Sequence, residues 1–214
     1  MPLAILTQWI KLLGIASHSN WRRKMNHRII KIHGCSGAGK TTAARAVMLA
    51  AVNIDVVEPT PGKPEAYVCS LSGVNEPIVV LGSYKNNCGG MDTVPSAAKA
   101  MEMVKFYHSV GHVIHEGLLQ STYYGAMGVD SKQYGDDYIY TFLDTPLIVC
   151  LERVVQRRAE NNTKNKFNPD LTVDKFNTIA ALQLKVERLG HKTAVLKYQE
   201  PMLPQILNIL GVVQ

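Results

Sequence analysis

The sequence predicts an α/β fold in three layers, a mainly parallel sheet covered by helices on both faces. Three observations predict it. Short β-branched runs alternate with longer segments of helical composition along most of the 214 residues, which is the pattern of β–α units. The first run passes through a glycine-rich turn directly into an alanine-rich helix. The length suits one α/β domain with a real core and is too short for two ordinary enzyme domains.

Taken in order, Arg28–His33 is the first strand, and Lys40–Asn53, rich in alanine, is the first helix. Ile54–Val57 is a strand, followed by punctuation from Pro59, Pro61, Gly62 and Pro64. Ala66–Leu71 and Pro77–Leu81 are strand-like, and Ser72–Asn75 between them reads as a turn, so the pair is either a β-hairpin insertion or an antiparallel edge. Ser96–Ser109 is helical, and His112–His115 and Tyr138–Leu143 are strands. Pro146–Arg158 is a helix with proline in its first turn. Glu160–Pro169 is polar and without periodicity, hence a loop; Val173–Leu189, Ala194–Lys197 and Met202–Leu210 supply a helix, a strand and a closing helix.

Residues 1–24 stand apart. No Asp or Glu precedes Asp55, and Lys11, Arg22, Arg23 and Lys24 carry four of the six net positive charges. Leu3–Ala16 is apolar but too short to span a bilayer, and its positive cluster follows the apolar run where a secretory signal has it in front. The expectation is an extension over 1–24, with an amphipathic helix packed on the domain as the competing reading, and a catalytic domain over 25–214. Cys35, Cys69, Cys88 and Cys150 form no CxxC pair. That suits reduced thiols in a cytoplasmic protein and neither a zinc site nor a disulfide scaffold.

Gly34-Cys35-Ser36-Gly37-Ala38-Gly39-Lys40-Thr41 matches G-x-x-x-x-G-K-[ST], placed after a strand and opening a helix. Gly37 and Gly39 let the backbone curl so that its N–H groups face phosphate oxygens. The helix N-terminus adds its dipole. Lys40 brings a mobile charge to the β- and γ-phosphates, Thr41 a hydroxyl for Mg²⁺, and Thr42 a further donor. The fold is therefore expected to be that of a P-loop NTPase.

Three classes of P-loop protein compete. A GTPase needs N-K-x-D, and the nearest match, Asn165-Lys166-Phe167-Asn168, ends in Asn within a loop. A motor ATPase needs an apolar run ending in Asp-Glu, which is absent. A kinase needs cations for the transferring phosphoryl group. The segment Tyr140–Pro146 leads into a helix bearing Arg153, Arg157 and Arg158, similar to the arginine-bearing lid of small P-loop kinases. That lid is expected around 153–170, with Arg157 and Arg158 as its catalytic arginines; the bland alternative is a solvated helix face.

Two carboxylates are candidate catalytic groups. Glu116 ends the strand containing Val113–His115 and precedes Gly117, where it can support Mg²⁺ or orient the acceptor. His112 and His115 interrupt that strand, but their spacing points them to opposite faces, which rejects a metal site between them. Asp92 follows Gly89, Gly90 and Met91 after a strand, where backbone approaches a ligand and a carboxylate can orient an acceptor hydroxyl. The competing reading is that Asp92 or Thr93 caps the next helix.

The combination of Gly34–Thr42, Leu81–Thr93 with its Gly89-Gly90-Met91-Asp92-Thr93, and His115-Glu116-Gly117-Leu118-Leu119 resembles bacteriophage P-loop kinases of thymine hypermodification. The resemblance runs from Met25 onward. It implies ATP and Mg²⁺ as cofactors and, as acceptor, the hydroxymethyl group of 5-hydroxymethyluracil in DNA. The residues alone favour a free nucleoside or its monophosphate, and a nucleotide-binding regulatory protein is the third reading. Between Glu152 and Lys197, ten Lys or Arg face five Asp or Glu, which offers a place for DNA phosphates; Tyr84, Tyr123 and Tyr124 are candidates to stack on an extruded base.

Overall fold

The computed structural model describes residues 27–85, 89–117, 131–162 and 167–212. The 1–24 segment, Tyr123, Tyr124 and part of the expected lid loop lie outside the described residues.

Among the described residues seven strands form one sheet: β1 Ile29–His33, β2 Asn53–Val57, β3 Ala66–Ser70, β4 Ile78–Leu81, β5 His112–Glu116, β6 Tyr138–Leu143 and β7 Thr193–Leu196. Their order is β2-β3-β4-β5-β1-β6-β7. Five neighbours in a row, β4 to β7, run parallel. Only β3 is antiparallel, to β2 on one side and β4 on the other. The expected hairpin, β3 and β4, therefore belongs to the central sheet, with β2 outside it as the edge strand; it is neither an insertion nor itself the edge.

Among the described residues five helices flank the sheet: α1 Lys40–Ala50, α2 Ala97–His108, α3 Leu147–Glu160, α4 Asp170–Arg188 and α5 Met202–Leu210. Each face of the sheet buries alternate residues, as strand geometry requires. On one face Ile30, Ile32, Val80 and Ile114 pack with Ala43, Ala44 and Val47 of α1 and Ile206, Leu207 and Leu210 of α5. On the other, Ile29, Val79, Val113 and Tyr138 pack with Val104 and Tyr107 of α2 and Ile179 and Val186 of α4. Each fully buried isoleucine of β1 stabilises the fold by about 1.5–3 kcal/mol, which fixes the strand that carries the phosphate loop.

Boundaries shift where local chemistry decides. The first helix stops at Ala50 because Ala51 is extended (φ −70°, ψ 135°), and Val52 N–H already donates to Ser70 O at 2.9 Å. The helix expected from Val173 starts at Asp170, whose N–H is taken by the Asn168 side chain at 3.0 Å. The two histidines of β5 do part company. His112 Nδ1 accepts from Arg28 N–H at 3.0 Å, whereas His115 Nε2 meets the Tyr138 hydroxyl at 3.2 Å.

Candidate active site

β1 lies between β5 and β6, pairing parallel with both. Chains leaving its carboxyl end face the crevice where open α/β sheets bind ligands. There the Gly34–Thr41 turn wraps around the start of α1. Gly39 precedes the helix in the left-handed region (φ 104°). Gly37 (φ 82°) lies so close to α3 that a Cβ would fall 2.2 Å from Cys150 O. Thr145 clamps the turn by donating to Ala38 O at 2.7 Å.

Lys40 is buried and folds back on its own loop, donating to Gly34 O at 2.8 Å and Cys35 O at 3.1 Å. Burial lowers its pKa, while the charges of Glu116 and other neighbours oppose the shift. Thr41 Oγ1 donates to Glu116 Oε1 at 3.0 Å. Glu116 is almost fully buried at the end of β5. Its pKa is pushed up to about 7 by burial, against the pull of Lys40 and the Thr41 hydroxyl.

Asp92 is brought to the same place by the double glycine. Ser83 and Gly90 exchange backbone hydrogen bonds at 3.1 and 2.9 Å, closing the neck of the loop that leads from β4 to Asp92, the acceptor loop. Gly90 (φ 91°) then presses on β5, where a Cβ would lie 2.5 Å from Glu116 O and 2.7 Å from Oε1. The exposed Asp92 follows in a 3-10 turn, its Oδ1 next to Gly117. It does not cap α2. That role belongs to Ser96, whose side chain accepts from Lys99 N–H at 3.1 Å.

The arginines of α3 divide. Arg153 and Arg157, one helical turn apart, both line a cavity of ≈440 Å³ with the phosphate loop, Asp92 and Glu116. Arg153 Nη1 also donates to Gly37 O at 3.3 Å. Arg158 is not in that lining; its guanidinium lies over the Phe167 ring at 5.9 Å. Of the loop residues Cys35, Ser36, Gly37, Ala38, Gly39, Lys40, Thr41 and Thr42 line the cavity, and Gly34 contributes through its carbonyl to Lys40. Tyr84 is no stacking platform. It is buried, edge-on to Tyr67 at 5.9 Å, with Gly89 packed against its ring.

Comparison with known proteins gives the chain its family. The family described as 5-hmdU DNA kinase matches residues 15–195, a span that begins inside the 1–24 stretch set apart by composition. The chain belongs to the 5-hmdU DNA kinase family. The 5-hmdU DNA kinase of Pseudomonas phage PaMx11 is 36% identical over 166 residues, 76% of this chain and 87% of the relative. That of Pseudomonas phage M6 is 33% identical over 170 residues, 74% of this chain and 84% of the relative. A solved gluconokinase from Sinorhizobium meliloti 1021 covers 88% of this chain and 92% of its own at 13% identity and a TM-score of 0.45, too loose a likeness to argue from.

The kinase has site residues that local sequence does not announce. Tyr198 and Met202 line the phosphate cavity from the far end of the chain. Tyr198 N–H donates to Asp144 Oδ1 at 2.7 Å, and Arg153 lies over its ring at 5.8 Å. So the Leu143-Asp144-Thr145-Pro146 segment ties the loop after β7 and the phosphate loop together, one through Asp144 and the other through Thr145. Arg45 of α1 holds the start of the acceptor loop through Tyr84 O at 2.9 Å. The signal for Tyr198 was its position after the last parallel strand, at the carboxyl edge of the sheet.

Proposed function

We propose that the kinase transfers the terminal phosphoryl group of ATP to the hydroxymethyl group of 5-hydroxymethyluracil in DNA. One observation carries the reading: in a member of this family, the Asp92 and Glu116 carboxylates line one cavity with the phosphate loop and two arginines. Such a cavity suits in-line transfer between a bound triphosphate and a hydroxyl.

The loop N–H groups and Lys40 bind the β- and γ-phosphates. Lys40 exchanges its two carbonyl partners for phosphate oxygens, which needs only side-chain rotation. Arg153 and Arg157 face the equatorial oxygens, where charge spreads in the transition state. Asp92 accepts a hydrogen bond from the acceptor hydroxyl, aligns its oxygen and takes up its proton. Tyr198 and Met202 offer an aromatic and a thioether surface beside the nucleotide.

The residues fit Mg²⁺. Thr41 and Glu116 place two oxygen ligands 3.0 Å apart at the cavity wall, and among the described residues no cluster of three or more His, Cys, Asp or Glu could hold a metal. Magnesium takes one or two protein oxygens and completes its shell with phosphates and water. Thr41 and Glu116 would hold it, directly or through water, and it would supply charge neutralisation to the phosphates. We place the reaction in the cytoplasm of an infected host, and among the described residues no helix is long and apolar enough to cross a membrane.

The test is transfer from γ-labelled ATP and Mg²⁺ to three acceptors: DNA containing 5-hydroxymethyluracil, thymine DNA, and free 5-hydroxymethyldeoxyuridine monophosphate. Label only in the modified DNA is expected. Label on the free nucleotide alone would make this a metabolite kinase, and label on none would leave a nucleotide-binding regulator.

A further inference from the structure

A second cavity opens on the other side of the acceptor loop, and the phosphoryl-transfer site leaves it unused. It encloses ≈530 Å³, a volume that accommodates a nucleotide. Its floor is the neck of the acceptor loop. Gly82 and Ser83 line it, and Ser83 is the residue that pairs with Gly90. Val94, two residues beyond Asp92, closes one side.

The opposite wall is the turn between β2 and β3. Lys63 N–H donates to Thr60 O at 2.9 Å to shape it. Lys85, at the start of the acceptor loop, holds it down through Glu58 at 3.1 Å and Gly62 O at 3.0 Å. The inside is mostly apolar and rigid, from Pro59, Pro64, Pro95 and Met103. A charged acceptor lines it, the half-buried Glu65 carboxylate, fixed by the Tyr107 hydroxyl at 3.0 Å. At the mouth stand two exposed lysines, Lys63 and Lys99. Lys99 pairs with Glu102 at 3.2 Å across an exposed helix face, a contact weak enough to be exchanged for a phosphate.

A mostly apolar slot with a half-buried carboxylate acceptor suits a base, and cations beside it suit the phosphates on either side. A free nucleotide has no second base to place there, whereas a DNA strand always has one. We propose that this cavity takes the base next to the target nucleotide on the same DNA strand, with Lys63 and Lys99 meeting the flanking phosphates. The inference rests on the DNA-acceptor reading and adds the feature that makes the kinase prefer a strand to a monomer.

The test compares single-stranded oligonucleotides carrying one 5-hydroxymethyluracil, intact or with an abasic position immediately 5′ or 3′ of it. An abasic neighbour on one side is expected to raise KM about tenfold, the cost of a lost base contact, with kcat little changed. The Lys63→Ala/Lys99→Ala variant is expected to raise KM for the intact strand and to flatten its salt dependence. The slope of log KM against log salt should fall by roughly 0.7 per lysine, with KM for ATP and the melting temperature unchanged. Abasic strands that behave like intact ones on both sides, or a variant with the wild-type salt slope, overturn the proposal. Wild-type enzyme that labels no modified DNA at all removes the acceptor reading and this inference with it.

Discussion

Lys40, Glu116 and Asp92 show how one site assigns three charged groups different work through their surroundings. Lys40 is held by two carbonyls of its own loop, so it is pre-positioned yet mobile. Replacing it with alanine should lower turnover by about 10²-fold or more, the scale of losing one preorganised donor, read in the labelled-ATP assay. Glu116 is kept in a costly state. Its folded pKa of about 7 lies above its ordinary 4.5, so the folded protein holds a proton that the unfolded chain releases. Stability contributed by the neutral form is therefore lost as pH rises from about 4.5 through 7. Glu116→Gln should raise the melting temperature of the ligand-free protein more at pH 8 than at pH 5, while sharply reducing transfer. Equal shifts at both values would show that burial does not govern this group. Asp92 is exposed and does not cap α2, so Asp92→Asn should leave ATP binding and melting temperature intact. Its loss of turnover should fall near or below the low end of the roughly 10²–10⁴ range for general bases, because the transition state is loose. Unchanged kcat with DNA acceptor would remove it from the reaction.

At the scale of elements, α3 is the informative one, since adjacent arginines on it lead different lives. A residue one step along a helix turns by about 100°, which carries Arg158 off the cavity and onto Phe167. Arg157→Ala should cost roughly 10²-fold in kcat, and Arg158→Ala less than threefold; equal losses in a steady-state assay would contradict the assignment by face. Sequence made the phosphate loop, the strand–helix alternation and the paired carboxylates readable because each depends on a local pattern. Spacing alone puts Arg153 and Arg157 on one helix face; which face meets the phosphate loop was not readable, because that depends on the neighbours each face meets. Tyr84 misled for the same reason, as an aromatic at a strand end is buried or open depending on how Tyr67 of β3 and the fold-back of Gly89 meet its ring. Tyr198 needed the closure of the sheet to bring residue 198 beside residue 37. The β3 hairpin was legible as a pair, but its place inside the sheet depended on β4 finding β5.

For the molecule as a whole, acid is the expected weakness. His112 is buried at the end of β5 opposite the site, with its Nδ1 committed to Arg28 N–H. Burial, then the neighbouring His27, Arg28 and His108, push its pKa down to about 4, and burial lowers that of His27 as well. The unfolded chain takes up protons that the folded one refuses. The stability these groups contribute is present above about pH 6.5 and lost as pH falls towards 4. His112→Asn, which keeps an acceptor but cannot titrate, should flatten the melting temperature between pH 6.5 and 4; an unaltered profile would acquit His112.

The central place of β1 has a further consequence during synthesis. It is the first strand of the sheet to be made, yet its partners Val113 and Tyr138 come 84 and 109 residues later. At ribosomal speeds of about 5–20 residues per second, Ile29, Ile30 and Ile32 wait on the order of 4 to 20 seconds with no strand beside them. A strand whose three isoleucines end fully buried is thus the longest exposed. The nascent protein is therefore a client for holding chaperones until β6 emerges, and a stalled ribosome short of residue 143 would present a sticky, unclosed half-sheet.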